Sequence, residues 1–170
     1  MPEGLVSGEE FLDALRSLGA KLHQRGVTAD LYIFGGAAMV MAYKARPATR
    51  DIDAVFEPDT EVLGAAQEVA RERRWPRSWL NNQASGFVSR LPDHGGRVIL
   101  EEPGIRCMVA SPEHLLAMKV MAARQSQDAG DIRFLIRRLG LRSFEEVQRT
   151  VAEVFPVQPI SERARLLVED

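Results

Sequence analysis

The chain has a single cysteine, Cys107, in 170 residues. One thiol excludes an internal disulfide framework and a cysteine-built zinc cluster. Set in "IRCMV", it reads as a small buried apolar group. No run approaches the roughly 20 apolar residues that a membrane span needs, so no membrane partner is expected. The opening segment "MPEGLVSGEEF" has neither the basic start nor the apolar stretch of a signal peptide, and the expected location is cytoplasmic. His23, His94 and His114 are scattered without metal-ligand spacing. Ser111 has no His/Asp pattern around it that would make a hydrolase triad. The formal net charge of -2 excludes a global basic field for nucleic acid, while leaving a local basic face open.

What is present is enough apolar residue, 45%, for one compact core. Ser7 and Glu10 form a capping-box pattern, followed by Phe11, Leu15, Leu18 and Leu22 at helical spacing, with Gly26 as a stop. "DLYIF" (30–34) predicts a short buried strand. Gly35-Gly36 turn the chain into a helix over about 37–45, broken by Pro47. "DIDAVF" predicts a second strand closed by Pro58, and a helix follows over about 61–74. "WPRSWLNNQASGF" reads as irregular, with Trp75 and Trp79 covering a sheet edge. "RVILE" and "IRCMV" flank "EPG" as a hairpin.

Beyond Val109 the composition turns helical. Ser111-Pro112 opens a nearly all-apolar helix, Gly140 ends the next, and Ser143 with Glu146 caps a third. The order β, α, β, α, β, β and then helices predicts an α/β (α+β) fold: a mixed sheet with flanking helices and a helical C-terminal part. The expected division is 1–110 for the core and 111–170 for the helical subdomain.

Asp51 and Asp53 are the anomaly. Residues i and i+2 of a strand point to one face, about 6.5–7 Å apart, so two carboxylates would repel and be desolvated together. A divalent cation removes that penalty. Mg²⁺ takes one or two carboxylates plus phosphate oxygens, which points to a phosphate-bearing ligand. The alternative is an edge strand with both acids solvated or paired with Arg46 or Arg50. Gly35-Gly36, between a strand and a helix, let backbone N–H groups approach an anion closely, or simply make a tight turn.

"GG", a helix and then "TRDID" resemble the signature of the polymerase-β-type nucleotidyltransferase fold. The resemblance implies that Gly35 and Gly36 contact an NTP triphosphate and that Asp51 and Asp53 ligate Mg²⁺. "ASPEHLLAMKVMAARQSQDAGDIRFLIRRLGL" is similar to the AbiEii-like branch, whose members are toxins of bacterial toxin–antitoxin pairs. That likeness adds Lys119, Arg124, Asp128 and Asp131 to the nucleotide-binding set. Lys119 lies among Leu115, Leu116, Met118, Val120 and Met121 and needs a reason to be there: a phosphate, a partner carboxylate such as Asp131, or a head group reaching water. Asp128 also suits an N-cap.

The implied reaction moves a nucleotidyl group from an NTP to a hydroxyl acceptor, RNA (including tRNA) or protein, with Asp51, Asp53, Glu101 and Lys119 as the catalytic set. Arg50 and Lys119 would offset developing negative charge. Glu101, in "RVILEEPG", is the best-placed third carboxylate, with a plain turn residue as the alternative reading. The implied partners are an NTP, the acceptor and a cognate antitoxin. The rival expectation is a non-catalytic nucleotide- or partner-binding module of the same fold.

Overall fold

The structure is a computed structural model that describes residues 3–123 and 125–169, the side chains of 125–127 excepted. Two compact units divide the chain. One holds the residues up to Ser85 together with Arg97–Val109; the other holds Gly86–Gly96 and the residues from Ala110 onward.

The first unit opens with β1 (Val6–Ser7) and α1 (Gly8–Gln24). The expected capping box forms: the Ser7 hydroxyl accepts from the Glu10 N–H, and the Glu10 carboxylate accepts from the Ser7 N–H. Next come β2 (Ala29–Phe34), α2 (Gly35–Met41), β3 (Ala48–Thr49), β4 (Ile52–Glu57) and α3 (Asp59–Arg73). Helix α2 ends at Met41, well short of Pro47, so proline is not what stops it. The stretch expected to be irregular contains a 3₁₀ turn, Arg77–Trp79, and a two-residue strand, β5 (Leu80–Asn81). Trp79 is fully buried and its indole N–H donates to the Ala66 carbonyl at 2.9 Å. The hairpin of β6 (Arg97–Glu102) and β7 (Ile105–Val109) completes the unit.

Five strands form one mixed sheet in the order β5-β4-β2-β7-β6, and β1 pairs separately with β3. β2 is central, antiparallel to β4 and parallel to β7. Alternation along the strands divides the two faces. Leu31, Ile33, Ala54, Phe56, Cys107 and Val109 are buried on the side where α1 contacts β7 and α3 contacts β4. Phe11, Leu15, Leu18 and Leu22 of α1 and Val62 and Val69 of α3 fill that layer. Each such large side chain contributes about 1.5–3 kcal/mol by leaving water. Tyr32, Val55 and Met108 lie on the opposite face, where they are half-buried or exposed.

Gly19 lets α1 approach the hairpin. A Cβ at Gly19 would lie 2.4 Å from Ile105 Cγ2. Gly19→Ala is therefore expected to lower the unfolding free energy by about 1–3 kcal/mol through overpacking, measured by urea denaturation with an unchanged m-value.

Burial above all, and the negative charge of Asp30 after it, push the Cys107 thiol up to about 12. An unfolded thiol titrates near 8.5. From about pH 9 upward the unfolded chain has lost this proton and the folded chain keeps it, so the stabilisation present below pH 9 is lost as pH rises toward 12. The slope is about 1.4 kcal/mol per pH unit. Denaturant titrations at pH 8–11 should show it, and Cys107→Ala should remove it.

The second unit begins within a 3₁₀ turn, Ser85–Phe87, and contains α4 (Pro112–Ala122), α5 (Gln125–Leu139), α6 (Phe144–Val154) and α7 (Glu162–Glu169). α4 contacts all three other helices, which is why it is apolar nearly all round. Ser111 caps it by accepting from the His114 N–H. The segment 86–96 is tied to these helices: the Ser111 N–H donates to Asp93 Oδ2 at 2.8 Å, and the Ser89 hydroxyl donates to the Val154 carbonyl at 2.6 Å.

Candidate functional site

β2 runs directly into α2, and Gly35, the first residue of that helix, has φ +62. This left-handed conformation strains any residue with a Cβ. The end of β2 also pairs with the start of β4, Phe34 opposite Asp53. That register presses the Asp53 side chain onto the turn: a Cβ at Gly35 would lie 3.2 Å from Asp53 Oδ2. A Cβ at Gly36 would lie 2.7 Å from Arg46 Nη2 and 3.0 Å from Thr49 Oγ1. The two glycines thus lie between a carboxylate on one side and a guanidinium with a hydroxyl on the other. Asp51, Asp53 and Arg46 are each engaged in polar or electrostatic interactions within the fold.

Asp51 stands one residue before β4 begins at Ile52. Strand alternation therefore fixes Asp53, while Asp51 is set by the connection from β3. Both are half-buried, and Arg50 is exposed. On the far side of β4, Asp53 pairs with Asn81 of β5. Asn81 is buried; its amide donates to the Ser78 carbonyl at 3.0 Å and its Oδ1 accepts from the Gln83 N–H at 3.2 Å. Sequence reading missed Asn81, because nothing in "SWLNNQ" announces a two-residue strand. It also missed that Arg46 and Thr49 meet Gly36, a contact made by tertiary folding with no sequence spacing to signal it.

The structure does not bring Glu101 to the aspartates. β2 and β7 stand between β4 and β6, a lateral separation of about 14 Å. Register adds to it: Glu101 faces Arg106, Arg106 faces Asp30 and Asp30 faces Glu57, so Glu101 is also four residues, about 13 Å, along the sheet from the Asp53 row. Its carboxylate is exposed and lies 3.9 Å from Arg106 Nε. Among the described residues, no three His, Cys, Asp or Glu side chains cluster as a metal-holding group.

In the second unit, Lys119 is 4% exposed, so its head does not reach water. Its Nζ lies 3.0 Å from Asp128 Oδ1 and 2.8 Å from Asp131 Oδ2, both buried carboxylates. Asp128 is no N-cap: α5 begins at Gln125, and the Asp128 side chain serves Lys119 instead. Arg124 lies outside the described residues.

The mixed sheet with its flanking helices and helical C-terminal part is compatible with a nucleotidyltransferase fold. Residues 10–166 match the family described as "Nucleotidyltransferase of unknown function (DUF6036)", and the chain belongs to that family. No curated protein and no solved structure matches it. No helix among the described residues is long and apolar enough to cross a membrane.

Proposed function

We propose that the chain transfers a nucleotidyl group from an NTP to a hydroxyl acceptor at the Gly35-Gly36 turn, with Asp51 and Asp53 as Mg²⁺ ligands. The observation that carries this reading is the closeness of Asp53 to the Gly35 backbone: its Oδ2 lies 3.2 Å from where a Gly35 Cβ would stand. There a carboxylate stands against a backbone that carries no side chain. Two carboxylates suit Mg²⁺, which takes its remaining ligands from water and substrate phosphate. When bound, Mg²⁺ would neutralise triphosphate charge.

The other roles belong to the chain. The bare Gly35 and Gly36 backbone admits the phosphate tail, and the Arg46 guanidinium beside Gly36 supplies positive charge there. Arg50, which is exposed, adds a second cation next to Asp51. The acceptor hydroxyl oxygen forms a bond to the α-phosphorus and gives up its proton to solvent, the bond from that phosphorus to the oxygen bridging to the β-phosphorus breaks, and pyrophosphate leaves. In this reading Lys119 holds α4 to α5 through Asp128 and Asp131.

The position of Glu101 favours a second reading, a nucleotide-binding module without transfer. Two measurements decide. Mg²⁺ with an NTP at 100 times its dissociation constant should stabilise the protein by about 2.7 kcal/mol. Labelled NTP incubated with RNA, lysate protein and small-molecule pools should leave label on one of them. Stabilisation without transfer supports the module, and neither effect rejects both readings. The likeness of α4–α5 to the AbiEii-like branch supports the finer reading of a toxin. Its test is growth arrest on expression, relieved by Asp53→Asn.

A further inference from the structure

We propose that Arg97 is a positioning residue for the glycine turn: it fixes the connection between α2 and β3, and through that connection it keeps the Arg46 guanidinium at Gly36. The role of Arg46 toward an NTP rests on the transferase reading above.

Register puts Arg97 at the right end of the sheet. Arg97 pairs with Val109, Val109 pairs with Ile33, and Ile33 stands two residues before Gly35. β6 is the edge strand, so a long side chain at its start can reach the helix that leaves β2. Arg97 Nη2 donates to the Ala42 carbonyl at 2.8 Å, and its Cζ lies 5.8 Å from the centre of the Tyr43 ring. Ala42 is the C-cap of α2. The last carbonyls of a helix lack partners within it and carry partial negative charge. A cation donating there satisfies an acceptor and complements the field of the helix end. The ring face of Tyr43 attracts the same guanidinium.

Immediately beyond Tyr43 the chain reverses. Lys44 has the left-handed φ of +51, and the Ala45 N–H donates back to the Met39 carbonyl at 2.9 Å. Arg46 follows, with Nη2 2.7 Å from where a Gly36 Cβ would stand. The far end of the connection is held separately, by the β1–β3 pairing that sets Thr49 opposite Val6. Arg46 therefore stands between two anchors, and Arg97 makes the one at Ala42 and Tyr43. Without it, Arg46 keeps its charge but loses its fixed point of departure from α2.

Three measurements on the full chain test this. In the absence of nucleotide, amide exchange over residues 42–46 should quicken about tenfold in Arg97→Ala. It should match wild type in Arg71→Ala, the same change of charge at an exposed position on α3. Calorimetry with Mg²⁺ and ATP, GTP, CTP or UTP should show Arg97→Ala binding about fivefold or more weakly than wild type, and Arg97→Lys, which keeps a donor for Ala42, within about twofold of it. A double-mutant cycle separates positioning from direct contact: in an Arg46→Gln background, Arg97→Ala should cause no further loss. Additive losses would make Arg97 a nucleotide contact in its own right and overturn the proposal. Unchanged exchange, or unchanged affinity, in Arg97→Ala would overturn it too. If wild type binds none of these nucleotides, the transferase reading falls, and the exchange measurement alone decides whether Arg97 fixes the connection.

Discussion

Asp53→Asn is expected to lower nucleotidyl transfer at least a thousandfold while leaving the fold intact. Asparagine keeps the volume that packs against Gly35 and removes the charge. At about 1.4 kcal/mol per factor of ten, a thousandfold loss corresponds to about 4 kcal/mol of transition-state stabilisation. This is a reasonable size for removing one carboxylate from a two-carboxylate metal site. The fold should tolerate the change, because Asp53 is only half-buried and loses an electrostatic role rather than a core contact. Two readouts check the claim: label transferred per minute at saturating NTP, and the melting midpoint without nucleotide. A midpoint within a few degrees of wild type with transfer abolished supports the site. Equal transfer by wild type and variant rejects the assignment of Asp53. Asp51→Asn is the companion experiment. It asks whether the residue just outside β4 contributes as much as the one inside it.

Lys119→Met should be the most destabilising single change in the helical unit. The substitution roughly keeps the side-chain length and removes the ammonium, leaving Asp128 and Asp131 as buried carboxylates without the cation between them. Removing one partner from a buried ion cluster costs about 3–5 kcal/mol, because the remaining charge is desolvated without compensation. In a protein of this size each kcal/mol moves the midpoint by roughly 2–4 °C, so the expected loss is about 10 °C or more. The combination Lys119→Met, Asp128→Asn and Asp131→Asn should recover much of it, since neutral amides carry a smaller burial penalty than carboxylates. If the single variant melts with wild type, the cluster is not what secures α4 to α5. If the triple variant is no better than the single, the cost comes from packing rather than charge.

These two sites differ in how far the sequence disclosed them. Local rules were enough for the frame of the first unit. Ser7 and Glu10 satisfy a capping geometry set within four residues, "EPG" makes a hairpin turn, and the glycines follow directly on an apolar strand. Long-range facts were not legible. Strand β5 is two residues long and exists because β4 offers it an edge, so no periodicity could reveal it. Asp51 shares the two-residue spacing with Asp53, yet β4 starts one residue too late for strand alternation to govern it. Glu101 looked well placed in the sequence, but proximity depends on strand order, and β2 and β7 intervene. Lys119 was anomalous on an apolar helix, with three explanations open. Only the arrangement of α4 against α5 shows that carboxylates answer it.

The interleaving of the two units has a consequence for biosynthesis. The ribosome delivers residues 86–96 before the β6–β7 hairpin that completes the sheet of the first unit, yet their anchors come later. Asp93 awaits the Ser111 amide, and Ser89 awaits the Val154 carbonyl. While the sheet is closing around β2, this segment must remain an unanchored loop between two strands of a nearly finished domain. The first unit can therefore mature on the nascent chain, whereas the segment 86–96 is fully anchored only once Val154 has been made.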